Sequence, residues 1–189
     1  MKCSIFIGTS ADGYIATEDG SVAWLEQAGD VNANMGSEAD MGFNSYIQSV
    51  DCMIMGRKCL DMLSSFNLTD KDWPYGNIRI YAMSRSIKEA PKNIRDRVEM
   101  FNGEITDLVS QLEDEGFKHA YIDGGATITS FLNKKLLNEL HITRAPILLG
   151  SGKPLFGKLD NSIKLINAKA KTYPNGFVQQ SYNVEYEPS

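Results

Sequence analysis

The chain has 189 residues, of which 42% are hydrophobic and 23% charged, a composition typical of globular proteins and not of disordered ones. Its net charge of -5 argues against a protein that coats nucleic acid or an anionic membrane surface. No apolar run approaches the roughly 20 residues of a membrane-spanning helix. We therefore expect one globular domain over residues 1–189, without nucleic-acid or membrane partners.

The three cysteines, Cys3, Cys52 and Cys59, lie in or beside apolar runs and are expected to be reduced, mostly buried thiols. The amino terminus has a strand-like run and lacks the pattern of a signal peptide. Both features predict a cytoplasmic protein. With only two histidines and no C-x-x-C pair, the sequence predicts no metal site.

Short apolar runs, each a candidate strand, recur along the chain, and amphipathic segments fall between several of them. The predicted strands are, in chain order, Cys3–Thr9, Cys52–Met55, Ile78–Met83, Val98–Phe101, His119–Ile122, Glu139–Ala145 and Ile147–Leu149. Helices are predicted over Ser37–Ser49 and Ile105–Glu115. The alternation of strands and helices predicts an α/β protein with a largely parallel sheet.

The carboxyl-terminal part of the chain has a different pattern. Strand-like segments at Ile163–Tyr173 and Phe177–Tyr186 flank Pro174-Asn175-Gly176, and Asn-Gly is among the strongest hairpin signals. The sequence therefore predicts that the sheet ends in an antiparallel hairpin and is mixed. A mixed sheet disfavours a purely parallel, doubly wound fold.

Two adjacent glycines, Gly124 and Gly125, separate the predicted strand at His119–Ile122 from an amphipathic segment. The dinucleotide fingerprint G-x-G-x-x-G does not follow the first strand, so the Rossmann interpretation fails. A strand end, a glycine turn and a helix amino terminus still suit a phosphate or pyrophosphate, because backbone N–H groups face the anion. The alternative is a tight turn without a ligand.

Two further strand ends carry polar or cationic residues. Gly56, Arg57 and Lys58 follow the second predicted strand, and Ser84 and Arg85 follow the third. Because parallel strands end at one edge of a sheet, these residues suit a polyanionic cofactor lying across that edge. The three cations favour the 2′-phosphate of NADP over the bare ribose of NAD. Taken singly, each cation is more often a solvated surface charge.

Four segments together resemble the dihydrofolate reductase superfamily, and more closely the reductase domain of the bifunctional riboflavin-biosynthesis deaminase-reductase and its free-standing bacterial relatives. The segments are Ser10–Ala16, Val50–Lys58, Tyr121–Ala126 and Pro146–Phe156. The resemblance covers nearly the whole chain. It implies a dihydrofolate-reductase-like three-layer α/β fold, in which helices flank both faces of a mixed sheet and NADPH binds at the strand ends.

The resemblance also assigns residues to the cofactor. They are Ala16, Gly56, Arg57, Lys58, Cys59, Ser84, Arg85, Gly124, Gly125, Ala126 and Thr127. Dihydrofolate reductases join the glycine pair by a cis peptide bond, and the resemblance implies the same bond here. Cys59 departs from the threonine usual at its position, and a thiol is a weak hydrogen-bond donor. Asp123 matches the acidic residue of the riboflavin-type relatives.

Three residues are assigned to the substrate. Asp40 precedes Met55 by fifteen residues, as the pterin-binding carboxylate does in dihydrofolate reductases, which implies a catalytic acid that binds substrate and assists protonation. Asp40 also matches a capping box with Ser37, a purely structural interpretation. Thr143 and Trp24 resemble substrate-side residues of the family, and the alternatives are an ordinary β-branched strand residue and a packing aromatic.

The sequence thus predicts an NADPH-dependent oxidoreductase for a small heterocyclic substrate. The closest chemistry is reduction of a ribosylaminopyrimidine phosphate, 5-amino-6-(5-phosphoribosylamino)uracil. A dihydrofolate reductase is the first alternative, and Asp123 and the Leu149–Phe156 segment argue against it. A non-catalytic nucleotide-binding protein on the same fold is the second. The resemblance also implies a homodimer, with the apolar residues of Ile147–Phe156 as a candidate interface.

Overall fold

The computed structural model describes residues 1–187, in which strands and helices alternate. The strands are β1 (Lys2–Thr9), β2 (Tyr14–Ala16), β3 (Cys52–Gly56), β4 (Arg79–Met83), β5 (Val98–Phe101), β6 (His119–Asp123), β7 (Glu139–Arg144), β8 (Lys153–Pro154), β9 (Lys164–Thr172) and β10 (Val178–Glu185). The helices are α1 (Trp24–Gln27), α2 (Phe43–Gln48), α3 (Arg57–Ser65), α4 (Ile105–Asp114), α5 (Gly125–Asn133) and a 3₁₀ turn at Gly36–Glu38.

Eight strands form one mixed sheet in the order β5-β4-β3-β6-β1-β7-β10-β9. The strands from β5 to β7 in this order are mutually parallel, and β10 pairs antiparallel with both β7 and β9. The turn between β9 and β10 contains Asn175 and Gly176, and Gly176 has the positive φ (90°) that such a turn requires. The predicted mixed sheet with a carboxyl-terminal antiparallel hairpin is therefore confirmed.

Helices cover both faces of the sheet, because its central strands are apolar on both sides. Along β3, Cys52 and Ile54 pack with α4 and α5, whereas Met53 and Met55 pack with α2 and α3. All four side chains are at most 1% exposed. The predicted three-layer arrangement is confirmed. The helix α4 buries Ile105, Leu108, Val109 and Leu112.

The helix predicted over Ser37–Ser49 is wrong in its extent. The α-helix begins only at Phe43, because Gly42 adopts a φ of 90°, which an α-helix does not contain. The residues before Gly42 form the 3₁₀ turn and a further hydrogen-bonded turn instead. Tyr46 and Ile47 of α2 are buried, and Met41, before the helix, is partly buried.

The strand predicted at Ile147–Leu149 is wrong as well. The Asp12 carboxylate accepts the N–H groups of Leu149 (3.1 Å) and Gly150 (2.7 Å), so the backbone turns toward β2 rather than continuing a ladder. Leu148 is accordingly 73% exposed. Only the two residues of β8 pair with a strand in this region, and their partner is β2.

A crevice opens at the carboxyl edge of the sheet between β1 and β6. Their ladder ends at the pair Ser4 and Tyr121, although the ladder of β1 with β7 continues to Thr9. Beyond that point the Tyr121 hydroxyl donates a hydrogen bond to the carbonyl oxygen of Phe6 (3.0 Å). Ligands of open α/β sheets bind in such crevices outside the strand carboxyl ends.

The three cysteines are free thiols; Cys3 and Cys52 are buried, and Cys59 is partly buried. Within residues 1–187, no helix is both long enough and apolar enough to cross a membrane.

Candidate active site

The glycine pair lies at the amino terminus of α5, next to the crevice. Gly124 precedes the helix with φ 94°, and the first intrahelical bond joins the Ile128 N–H to the Gly124 carbonyl oxygen (2.8 Å). The N–H groups of Gly125, Ala126 and Thr127 come before that bond and are therefore available to an anion. The expected cis peptide bond is absent, because every peptide bond among the described residues is trans.

Close packing explains why side chains are excluded at these glycines. A Cβ on Gly124 would stand 2.5 Å from the Cys59 Sγ atom. A Cβ on Gly125 would stand 2.8 Å from the Pro154 carbonyl oxygen. A Cβ on Gly56 would stand 2.7 Å from the Thr127 Oγ1 atom, so the ends of β3 and α5 touch. The predicted glycine turns after β3 and β6 therefore belong to one cradle.

A cleft of about 310 Å³ runs from this cradle across the ends of β3 and β4 to the start of α4. It brings together five of the predicted cofactor residues, namely Gly56, Ser84, Arg85, Ala126 and Thr127. Its other walls were not predicted from the sequence and consist of Met83, Gly103, Glu104, Ile105, Ser130 and Lys134. The cleft combines backbone donors, hydroxyl groups, cations and an apolar surface.

The predicted cations lie at or near this cleft, but two of them are paired with acids. Arg85 donates to Glu104 (2.6 Å), and the Arg57 Nε atom lies 3.5 Å from Asp61 one helical turn away. Both pairs are exposed, and exposed ion pairs contribute little to stability, so an anionic ligand can replace either acid. Lys58 is exposed on α3 and does not line the cleft.

Cys59 faces Asp123 rather than the cleft. Its thiol hydrogen-bonds the Asp123 carboxyl group, and burial followed by that neighbouring charge raises the thiol pKa. Sγ also packs against the backbone at Gly124. In this arrangement Cys59 supports the cradle from behind.

Asp123 is the residue whose chemistry sequence reasoning did not assign. It ends β6 beside Gly124, and the residue as a whole is partly accessible although its carboxyl group is buried. Burial raises the pKa of the carboxyl group, whereas hydrogen bonds from the Gly124 N–H and the Cys59 thiol lower it. Tyr75 and Tyr121 lie close enough for that carboxyl group to raise the pKa of both phenols, secondary to burial. A carboxyl group whose pKa is raised by burial, next to a glycine cradle, is a candidate general acid. The available signal was an acidic residue directly after the buried run Ala120–Ile122.

Asp40 caps the amino terminus of α2. Its carboxylate accepts the N–H groups of Asn44 (2.9 Å) and Gly42 (3.0 Å). These bonds lower the pKa of Asp40, and the bond from Asn44 has the larger effect, so the carboxylate is ionised at neutral pH. The carboxylate of Asp40 itself makes the cap, rather than the Ser37 hydroxyl of the predicted capping box, because Ser37 lies in the separate 3₁₀ turn.

Thr143 and Asp40 are brought to one neighbourhood by Gln179. The Gln179 side-chain amide donates to the Thr143 hydroxyl (2.9 Å) and to the Met41 carbonyl oxygen (3.1 Å), one residue from Asp40. The Tyr173 hydroxyl donates to the same carbonyl (3.1 Å). The hairpin thus fixes the segment before α2 to β7, a connection that sequence spacing did not reveal.

Trp24 and Ala16 lie on the connection between β1 and α2. Trp24 begins α1 and packs beside a small cluster that includes Tyr173 and Phe177. Its indole Nε1 is buried and has no hydrogen-bond partner among the described residues. Ala16 ends β2, is 7% exposed, and its carbonyl oxygen lies where a Cβ of Gly152 would be.

Comparisons with known proteins agree with this architecture. The family model for the RibD C-terminal domain matches residues 2–179. A putative riboflavin biosynthesis protein from Shewanella sp. PV-4 is 38% identical with a TM-score of 0.86, over 98% of this chain and 100% of that one. The uncharacterized protein YwjB of Bacillus subtilis is 31% identical over 166 residues, 87% of each chain. A dihydrofolate reductase from Enterococcus faecalis, 9% identical with a TM-score of 0.63 over 98% and 97% of the two chains, shares the fold. The chain belongs to the RibD C-terminal domain family.

Proposed function

We propose that this protein is an NADPH-dependent reductase of a small heterocyclic substrate. The observation that carries the proposal is the cleft at the carboxyl edge, where the ends of β3 and β4, the start of α5 and the two cations Arg85 and Lys134 converge. Membership of the RibD C-terminal domain family supports the same reaction class. The substrate proposed from the family resemblance is 5-amino-6-(5-phosphoribosylamino)uracil.

The residues present fit a nicotinamide dinucleotide. The N–H groups of Ala126 and Thr127 would hold the pyrophosphate, and Ser84 and Arg85 the adenosine side. Met83 and Ile105 supply the apolar surface that an adenine ring requires. When bound, NADPH would supply the hydride for the reduction.

The proton would come from Asp123. Burial raises the pKa of its carboxyl group, which favours proton donation, and Asp123 ends β6 directly before the glycine pair at the start of α5. Asp40 suits a different role. Because its carboxylate is ionised and already accepts two N–H groups, Asp40 would orient α2 and bind substrate N–H groups rather than donate a proton.

The substrate would lie between α2 and the cofactor. Thr143, whose hydroxyl accepts from Gln179, keeps its own proton for donation to the substrate. Trp24 offers a buried indole N–H that has no partner in the described part of the chain. Both residues are therefore proposed as substrate contacts.

NADPH oxidation followed by absorbance tests this function, with 5-amino-6-(5-phosphoribosylamino)uracil and dihydrofolate as alternative substrates. We expect turnover with the first compound and none with the second. Turnover with dihydrofolate alone would make the protein a dihydrofolate reductase. NADPH binding without turnover of either compound would contradict the proposed substrate class and favour a binding protein.

We further propose that the protein is a cytoplasmic homodimer. The support is exposed apolar surface in the segment expected to form the interface, where Leu148 is 73% and Phe156 37% exposed. Sedimentation at micromolar concentration should give a dimer. Leu148→Glu should shift it to a monomer, and a monomeric wild-type protein would refute the proposal.

A further inference from the structure

We propose that Glu104 sets the cofactor preference of the cleft by competing with the adenosine 2′-phosphate for Arg85 and Lys134. This inference rests on the proposed binding of a nicotinamide dinucleotide. It assigns Glu104 a role in specificity that differs from those of the residues holding the pyrophosphate.

The charges of the cleft are unevenly distributed. Of its lining residues, only Arg85, Glu104 and Lys134 carry charge. The Glu104 carboxylate lies 2.6 Å from Arg85 and 3.8 Å from Lys134, so one acid engages both cations. With Glu104 ionised the charged wall has a net charge of +1, and without it +2.

The position of this wall identifies the part of the cofactor that meets it. Ala126 and Thr127 lie at the start of α5, where the pyrophosphate is proposed to bind. Glu104 immediately precedes α4 and pairs with Lys134, which follows the carboxyl-terminal end of α5, away from Ala126 and Thr127. A dinucleotide with its pyrophosphate on α5 therefore directs its adenosine toward the charged wall.

The two cofactors meet this wall differently. A phosphate monoester carries about −1.5 to −2 charges at neutral pH, so it attracts Arg85 and Lys134 but is repelled by Glu104. A ribose 2′-hydroxyl carries no charge and donates a hydrogen bond to a carboxylate, the interaction that acidic residues make with NAD ribose in other folds. Glu104 therefore weakens NADPH binding and strengthens NADH binding. It reduces the preference for NADPH over NADH that Arg85 and Lys134 create.

The test compares dissociation constants of NADPH and NADH, measured by calorimetry, for the wild type and Glu104→Gln. Removing this one negative charge from the wall that meets the phosphate should tighten NADPH binding about tenfold. NADH affinity should change by less than about threefold, because the glutamine carbonyl oxygen still accepts a hydrogen bond. Lys134→Gln should act oppositely and weaken NADPH selectively.

Glu115→Gln is the matched control. Glu115 follows the same helix and pairs with Arg79 at 3.3 Å, outside the cleft, so its loss should leave both dissociation constants unchanged. An unchanged NADPH-to-NADH ratio in Glu104→Gln, with both cofactors bound, would overturn the role of Glu104 and leave the proposed function intact. Binding of neither cofactor by the wild type would overturn both.

Discussion

Replacing Gly124 tests the glycine cradle most sharply, because a side chain there would incur both backbone strain and a steric clash. Its φ of 94° is unfavourable for any residue with a side chain, and a Cβ would stand 2.5 Å from the Cys59 Sγ atom. The backbone cost is about 1–3 kcal/mol, and an overpacking clash adds about 1–3 kcal/mol. Gly124→Ala should therefore lower the free energy of unfolding by roughly 2–6 kcal/mol.

A double-mutant cycle with Cys59→Ala separates the two costs. The alanine removes Sγ and leaves only the residue-59 Cβ, 4.0 Å from the new methyl group, which is ordinary contact. The double mutant should therefore be more stable than the sum of the single changes predicts, by about 1–3 kcal/mol. Urea unfolding followed by circular dichroism measures all four proteins.

Gly116 is the matched control for the backbone cost. It has nearly the same φ, 95°, but no heavy atom lies within 4 Å of a Cβ placed on it. Gly116→Ala should lower the free energy of unfolding by the backbone strain alone. Its effect should add to that of Cys59→Ala without coupling. Additive losses for Gly124→Ala and Cys59→Ala would refute the packing described at the cradle.

Two further predictions concern the acids. Because burial raises the folded pKa of Asp123, the folded state retains a proton that the unfolded chain releases, so wild-type stability falls as pH rises through the folded pKa. Asp123→Asn should remove this loss of stability with rising pH and raise the melting temperature at neutral pH. It should also cut turnover by roughly 10²–10⁴-fold, and an unaltered turnover would exclude Asp123 as the acid. Asp40→Asn should lower the melting temperature by a few degrees, because an amide has one acceptor oxygen for the two N–H groups that the carboxylate accepts. Ser37→Ala should leave it unchanged, and equal effects would contradict the capping geometry. Since the Asp40 pKa is lowered, its stabilising effect is present above the unfolded pKa and should disappear as pH falls through the folded one.

Local pattern predicted much of the fold, because the signals there depend on neighbours in sequence. The apolar run that became β3 and the Asn175-Gly176 turn both specify their structure within a few residues. The helix predicted before Phe43 does not form, because Gly42 has a left-handed backbone conformation. The spacing of apolar residues, on which the prediction depended, does not reveal that conformation. The strand predicted at Ile147–Leu149 does not form, because the Leu149 N–H donates to the carboxylate of Asp12, which is distant in sequence.

The site was predictable where it consists of backbone and turns, and not where it depends on contacts between distant segments. The cradle at Gly124 and Gly125 follows from strand, glycine and helix in succession. Glu104 meets Arg85 across nineteen positions, and Gln179 meets Thr143 across thirty-six. Such pairs depend on how the elements pack, which one sequence does not state.

A crystal structure of the protein with NADPH tests the central claim most directly. The pyrophosphate should accept hydrogen bonds from the N–H groups of Ala126 and Thr127, with the adenosine toward Arg85 and the nicotinamide in the crevice beside Asp123. A cofactor bound elsewhere on the molecule, or a cleft that stays empty at saturating NADPH, would contradict the account.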